Sequence, residues 1–381
     1  MEKLVHVCLT APYVYGLGYD ENIMPYYHKQ MGYDVYIISY SELENEESNP
    51  KDNKVFRLKR GPRHFVLSKF GVFIGLYDIL NRINPKIIYV HNAQFISFPK
   101  IIKYKRNHPG VKIFVDNHDD YYNSPINGIK AHILYYVIYR SILYSSAKYV
   151  EMFWGVTPWR CRFLTEVFGV PKNKVKLLVM GGDDRFINLD KTDSIRNDIR
   201  VKYGILNEDF LVITGGKINK EKGIHLLAQA VSEIENNRLK LLIFGKIEKD
   251  IENTLVPFIY SKKIIFAGWM KPQDYYNLIL ASDLGFYPGT HSILWEQTCA
   301  CGIPIVVNDI EDMHHVDLGG NAFFIKDVNS KEIISMIELF LYNKNVYECA
   351  KKIAQEKATK VFSYKRISRK AISDKEDFGE L

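Results

Sequence analysis

Long apolar runs are missing from this chain of 381 residues: none approaches the roughly 20 residues that a membrane span requires. No leader pattern precedes the first strand-like segment, residues 4–9. Cysteine is scarce, and Cys8, Cys161, Cys299, Cys301 and Cys349 form an odd, scattered set without Cys-x-x-Cys. Cys299 and Cys301 stand two apart in a helical pattern and face different ways, which argues against a metal role. Reduced thiols fit a cytoplasmic protein. Strict Asp-x-Asp, the pair that often holds a cation against phosphates, is absent, so no metal is expected. Gly16-x-Gly18 lacks the third glycine of a dinucleotide fingerprint, which excludes a strong nicotinamide reading. No cofactor is called for. Low-complexity tracts and short-period repeats are also lacking. The net charge of +7, with 25% charged residues, suits an anionic ligand or membrane surface but is too thinly spread to argue for nucleic acid.

What is present begins with Gly215-Gly216-Lys217-Ile218-Asn219-Lys220-Glu221-Lys222-Gly223. An apolar run, residues 210–214, precedes it and an amphipathic pattern from Ile224 follows. The expectation is a strand, a glycine turn with three lysines, and a helix start. Glycines let a ligand approach the backbone, and the helix start offers unpaired N–H groups and partial positive charge. A phosphate-bearing ligand fits that arrangement. Solvated lysines on an ordinary strand–helix turn are the alternative.

Short β-branched and aromatic runs alternate with helical patterns along the whole chain. In the first half they fall at residues 4–9, 33–40, 55–58, 87–91, 112–115, 149–153 and 175–180. In the second half they fall at 210–214, 239–244, 263–267, 284–287, 303–308 and 322–325. This alternation predicts an α/β protein with parallel sheets. The polar stretch 181–200 divides the two series into two Rossmann-like domains, residues 1–185 and 195–359, facing a cleft that takes the substrate at the strands' carboxyl ends. The charged helical pattern from about 360 to 381 is expected to pack back on the first domain.

Polar clusters end several of these strands. Asp116-Asn117-His118-Asp119-Asp120 follows residues 112–115, and His91-Asn92 follows 87–90. Three carboxylates in five residues could suggest a metal site or an acid–base pair, but neighbouring residues point in different directions, which disfavours a shared cation. His91-Asn92 reads as a structural or acceptor-contact site. Glu296, early in a helix with apolar flanks, could accept hydrogen bonds from a ribose diol, or be a first-turn glutamate favoured by the helix dipole. Arg57, Lys59, Arg60 and Arg63 precede an apolar stretch within residues 57–74, an order suited to an anionic membrane surface. Residues 129–144, rich in aromatics with Lys130 and Arg140, read instead as core helix with solvated basic flanks.

The order of these motifs resembles glycosyltransferase family 4, the large retaining family of the two-domain GT-B fold. Residues 15–22 and 28–35 look like its opening turn, helix and second strand. Gly181-Gly182-Asp183 with Phe186 looks like its Gly-Val-Asp…Phe signature. Phe266-Ala267-Gly268-Trp269 and residues 295–307 look like its nucleotide-binding core. The resemblance spans nearly the whole chain. It implies that Lys217 and Lys222, spaced five apart, contact the donor diphosphate, and that His118 meets the hydroxyls of the donor sugar. It places Gly16, Gly18, Gly216, Thr290, His291, Ser292, Ile293 and Glu296 in the donor site. One departure stands out: of the family's two glutamates seven residues apart, the second is Glu296, but the first falls on Pro288. The implied activity is transfer from a nucleotide-diphosphate sugar to a glycan or lipid-linked acceptor, with retention and without metal, in surface polysaccharide or glycolipid assembly. The implied location is the cytoplasm, at the membrane face. A non-catalytic nucleotide-sugar-binding partner subunit, favoured by Pro288, and a nucleotide-sugar epimerase are the rivals.

Overall fold

The runs read as strands all become strands in the computed structural model, which describes residues 1–14, 20–41, 54–59, 71–124 and 126–373. Among the described residues, thirteen parallel strands alternate with helices and divide into two sheets. The first holds β1 (Lys3–Cys8), β2 (Asp34–Ser41), β3 (Val55–Lys59), β4 (Ile87–His91), β5 (Lys112–Asn117), β6 (Met152–Gly155) and β7 (Val175–Leu177), in the order β3-β2-β1-β4-β5-β6-β7. The second holds β8 (Phe210–Ile218), β9 (Leu239–Ile247), β10 (Ile264–Gly268), β11 (Leu284–Tyr287), β12 (Ile305–Asn308) and β13 (Ala322–Ile325), in the order β10-β9-β8-β11-β12-β13. Helices cover both faces of a sheet of this kind, so its strands read as continuous apolar runs: Val5, Ile88, Ile113 and Phe153 in one core, Val212, Leu241, Phe286 and Val306 in the other, are each 0% exposed.

The chain forms two compact units, Met1–Val179 together with the segment from Ile367, and Met180–Arg366. In the first unit the helix Tyr364–Ala371 supplies backbone acceptors: Ala371 O takes the indole N–H of Trp154 at 2.9 Å and Ser368 O faces His28 Nε2 at 2.7 Å. Among the described residues no helix is long and apolar enough to cross a membrane.

Each strand order reverses once at its centre, between β1 and β4 and between β8 and β11. Chain crossing to opposite sides of such a point leaves a crevice at the carboxyl ends of the two strands. The β1 end leads toward residues 15–19, so Gly16 and Gly18 lie outside the described residues, as does most of the basic-then-apolar segment 57–74.

One strand is longer than its sequence suggests. β8 does not end at Thr214 but runs through Gly215, Gly216 and Lys217 to Ile218, paired residue for residue with β9. Gly216 (φ 100°) lies opposite Gly245 (φ 126°), where a Cβ on Gly245 would sit 1.9 Å from Gly216 O. The glycines thus permit close strand pairing rather than stopping it. The turn is confined to Asn219–Gly223.

A buried ion cluster fastens the second sheet's amino-terminal edge. Arg200, 1% exposed, reaches Asp283 Oδ2 at 2.7 Å and the carbonyls of Leu206 and Asp209 at 2.6 and 3.0 Å. Arg196 meets the other oxygen of Asp283 at 2.7 Å, and Leu211 N–H donates to Oδ2 at 2.8 Å. Asp283→Ala would leave two guanidinium groups without their carboxylate. A loss of about 3–5 kcal/mol is expected by urea denaturation, the cost of breaking a buried pair by removing one partner.

Candidate functional site

At the β8–β11 reversal the turn after one strand is clipped to the loop after the other. Thr290 N–H donates to Glu221 O at 3.1 Å, and Lys222 Nζ donates to Thr290 O at 2.9 Å and His291 O at 2.7 Å. Gly289 makes the contact close, since a Cβ there would meet Glu221 O at 2.1 Å. Burial lowers the Lys222 ammonium to about 8, with Lys217 adding to the shift and Glu221 opposing it. Lys217 itself lies exposed near the end of β8. The two lysines come together as the sequence suggests, but in different roles: Lys222 holds the loop and Lys217 faces outward.

Behind that loop stands a buried carboxylate. Glu296 is 0% exposed in the helix Leu294–Ala300, and its Oε1 accepts from His291 Nε2 and His315 Nε2, each at 2.9 Å. Burial alone would raise this carboxyl. The two imidazoles outweigh burial and hold it near 2. Oε2 is also buried and has no hydrogen-bond partner, so one oxygen of this carboxylate is left unpaired. Glu296 does stand in the first turn of its helix, as the helix-dipole reading has it, but fully buried. Ser292 and Ile293 open the helix through their carbonyls, which accept from Trp295 and Gln297 N–H. His315 was missed in the sequence. It sits in the short helix His314–Val316, seven residues beyond β12, and no local signal marks it.

His291, Glu296 and His315 each offer a ligand atom within 4.8 Å of the others, and among the described residues they are the group that could share a cation. Both Nε2 atoms converge on one oxygen at hydrogen-bond distance, so two N–H donors on a carboxylate also account for the geometry. The three carboxylates within residues 116–120 do not gather. Asp116 faces His91 and His118, Asp119 faces the Tyr135 hydroxyl at 3.4 Å, and Asp120 accepts from Arg160 Nε at 3.2 Å and from two backbone N–H groups.

At the β1–β4 reversal His118 follows β5, with its backbone N–H held by Asn92 Oδ1 at 2.7 Å. Asn92 takes the left-handed conformation (φ 58°), and its N–H donates to Asp116 Oδ1 at 2.9 Å. His118 Nε2 lies between two carboxylates, 3.4 Å from Asp20 Oδ2 and 3.6 Å from Asp116 Oδ1. Burial lowers the affinity of this imidazole for its proton, but Asp116 and Asp20 more than reverse that and raise its pKa to about 9. Asp20 was not singled out in the sequence. It opens the helix Asp20–Gln30.

Residues 129–144 depart from their expected core role on one side. Tyr135, Tyr139 and Leu143 are buried, but Ile129, Ile133, Val137 and Tyr144 are 82, 48, 53 and 64% exposed.

Two families match this chain. "Glycosyl transferases group 1" covers residues 195–357 and "Glycosyl transferase 4-like" covers residues 25–150. An uncharacterized glycosyltransferase of Methanocaldococcus jannaschii is 21% identical over 220 residues, 54% of this chain and 55% of that protein. An alpha-galactosylglucosyldiacylglycerol synthase of Streptococcus pneumoniae is 26% identical over 165 residues, 40% and 42% of the two chains. The chain thus spans about half the length, or less, of these curated relatives. Anabaena Alr3699/HepE, solved with UDP and glucose, shares the fold at a TM-score of 0.66 with 14% identity, covering 97% of this chain and 98% of that one.

His118 is expected to titrate near 9 when followed by NMR. Because its folded pKa is raised above the unfolded 6.5, the stability it contributes is full below about 6.5 and fades as pH climbs through 9. Asp116→Asn should bring the titration back toward 6.5. A value that stays near 9 would mean that Asp116 is not its source.

Proposed function

The chain belongs to the group 1, family 4-like glycosyltransferases of GT-B fold, and we propose that it moves a sugar from a nucleoside-diphosphate sugar to a glycan or lipid-linked acceptor. The observation that carries this reading is the clipped loop at the β8–β11 reversal. It seats the Lys222 ammonium on the carbonyls of Thr290 and His291, with Lys217 near enough to lower it, next to a buried carboxylate with one unpaired oxygen.

Departure of the diphosphate is the step that needs help. Lys217, exposed and close enough to depress the Lys222 ammonium, takes the developing charge directly. Lys222 fixes the carbonyls of Thr290 and His291 and so holds the loop in place beside that anion. Donors held in place before the reaction cost no reorganisation during it. Glu296 Oε2 accepts from the ribose, and the imidazoles on Oε1 keep that carboxylate ionised at any physiological pH. His118, as an imidazolium, donates to a hydroxyl of the sugar. Pro288 removes one acceptor from the family pattern, leaving Thr290, His291 and Ser292 to set sugar preference by donation. The proposed transfer proceeds with retention and without metal.

A nucleotide panel led by UDP tests the donor class, since Alr3699/HepE was solved with UDP and glucose. Lys217→Ala and Lys222→Ala should each lower turnover at least about 100-fold while the fold survives. Lys222→Ala should weaken nucleotide binding as well, because it frees the loop. Unchanged turnover in folded Lys217→Ala would overturn the assignment. Turnover should also persist in excess chelator; loss restored by magnesium or manganese would place a cation at His291, Glu296 and His315. Products formed from donor alone, without acceptor, would favour an epimerase, and nucleotide binding with no turnover on any donor would favour a non-catalytic partner subunit.

The proposed acceptor is lipid-linked and the proposed pathway is surface glycan or glycolipid assembly, with the protein bound reversibly to anionic membrane. Support comes from the exposed stripe Ile129, Ile133, Val137 and Tyr144, and from the absence of any acidic residue between Asp120 and Glu151 while Lys130, Arg140 and Lys148 lie exposed there. Apolar residues four apart share one helix face. Flotation with anionic vesicles is expected, weakening with salt, at about 1 kcal/mol for each basic residue near the surface. Ile133→Asp with Val137→Asp should abolish it. Undiminished flotation of that variant would move the anchor elsewhere, first to residues 57–74.

A further inference from the structure

Three buried histidines of the first unit lie behind the site described so far, and only His91 touches it, through Asp116. His6 on β1, His28 on the helix Asp20–Gln30 and His91 on β4 are 0, 0 and 1% exposed. They stand in a line. His28 Nε2 lies 2.7 Å from Ser368 O, His28 Nδ1 lies 3.0 Å from His6 Nε2, and His6 Nδ1 lies 2.9 Å from His91 Nε2. His91 Nδ1 then lies 3.0 Å from Asp116 Oδ2, an ion-pair contact rather than a well-aligned hydrogen bond. All six ring nitrogens are engaged.

The two ends of this line decide where its protons sit. A carbonyl oxygen only accepts, so His28 Nε2 carries a proton and a neutral His28 presents a bare Nδ1. His6 Nε2 must therefore donate to it, which leaves His6 Nδ1 bare and requires a proton on His91 Nε2. A neutral His91 would then turn a bare Nδ1 toward a carboxylate oxygen 3.0 Å away, too close for a water to lie between them. The opposite order fails at the other end, where a bare His28 Nε2 would face the carbonyl. Four junctions need four protons, and three neutral rings supply three.

We propose that His28, His6 and His91 form a proton-ordered line carrying one proton beyond neutrality, held at His91, and that this line positions Asp116, and through it His118, from the C-terminal helix. The proposal deepens the reading of His118 as a donor-site group and rests on it. The three histidines are positioning residues. A carbonyl cannot take up a proton, so the line orients its far end without conducting protons to it.

The surroundings agree. Burial pushes His6 well below the usual imidazole range and His28 down to about 4, keeping both neutral, whereas at His91 Asp116 outweighs burial and raises the value. Glu21 and Asp20, on the helix Asp20–Gln30, act in the same direction on His91. Tyr89 packs its ring 4.9 Å from His91 and keeps its phenol protonated, and burial does the same for the Cys8 thiol on β1. Arg160 opposes protonation of His118 without overcoming it. The resulting charges alternate along His91, Asp116, His118 and Asp20.

Nitrogen-15 NMR of the full chain reads this order directly, with no need for turnover. His28 and His6 should be neutral with the proton on Nε2, and His91 should carry both protons from pH 5 to 8. Either neutral ring in the Nδ1–H form, or His91 titrating to neutrality near 6.5, would overturn the proposal even if the protein proves an active transferase. Two variants add a second reading. In His28→Gln the carboxamide can donate to Ser368 O and accept from His6, so His91 should stay doubly protonated. In His28→Leu the acceptor is gone, and a neutral line with Nδ1–H on both His6 and His91 becomes satisfiable. His91 should then lose its charge, and the pKa of His118 should rise by about one unit, a tenfold gain in proton affinity, as Asp116 loses its other imidazolium. No change at His91 in a folded His28→Leu would refute the line, and the wild-type tautomers decide the matter if that variant does not fold.

Discussion

A carboxylate taken out of water must be met by charge or donors, and this chain places three of them in its interior on one plan. Asp116, Glu296 and Asp283 are 0, 0 and 5% exposed, and each is bracketed by two basic side chains: His91 and His118, His291 and His315, Arg196 and Arg200. The choice of base separates their duties. Guanidinium groups stay charged at every accessible pH and form rigid forks, so the Asp283 cluster is suited to fastening strand ends. Imidazoles can be neutral or charged, and can give a proton to a ligand. Of the two histidine-bracketed carboxylates, Asp116 lies at the carboxyl end of β5 and Glu296 in the helix that follows β11, both near the reversals in strand order, where ligands bind in folds of this kind. Asp283 lies at the opposite, amino-terminal end of β11, where they do not.

How much of this was legible follows from the range of each interaction. Every strand was readable, because burial on both faces writes a continuous apolar run into the chain. The end of β8 was not, because Gly215-Gly216 reads locally as a turn, and only Gly245 on the neighbouring strand reveals a close pairing. Lys217, Lys222, Glu296 and His118 could be picked out by motif order. Their partners could not. His91 faces Asp116 because β4 and β5 pair in that register, and His315 reaches Glu296 because β12 lies next to β11. Register and strand order are set by long-range packing, which a linear pattern does not record. The exposed side of residues 129–144 was lost for a related reason: aromatic content signals burial, yet here alternate faces of one helix go to the core and to solvent.

Pro288 is best understood through the same loop. It packs where Gly223 begins its helix, and a Cβ on Gly223 would lie 3.3 Å from Pro288 Cγ. Gly289 presses on the backbone of Glu221 and Lys222. The loop is therefore located by close contact and by the Lys222 ammonium, without a carboxylate at position 288. A chain drifting away from ligand binding has no reason to keep a desolvated glutamate with one oxygen unsatisfied. Such a group costs stability unless something outside the protein pairs with it, since replacing a buried charge cluster by apolar residues is often neutral or stabilising. The unpaired oxygen of Glu296, held ionised by two imidazoles in the face of burial, is thus an argument that the site still meets a hydrogen-bond donor. On the proposed reading, the missing glutamate would change which sugar groups are recognised and leave in place the groups that would hold a nucleotide and stabilise a departing diphosphate.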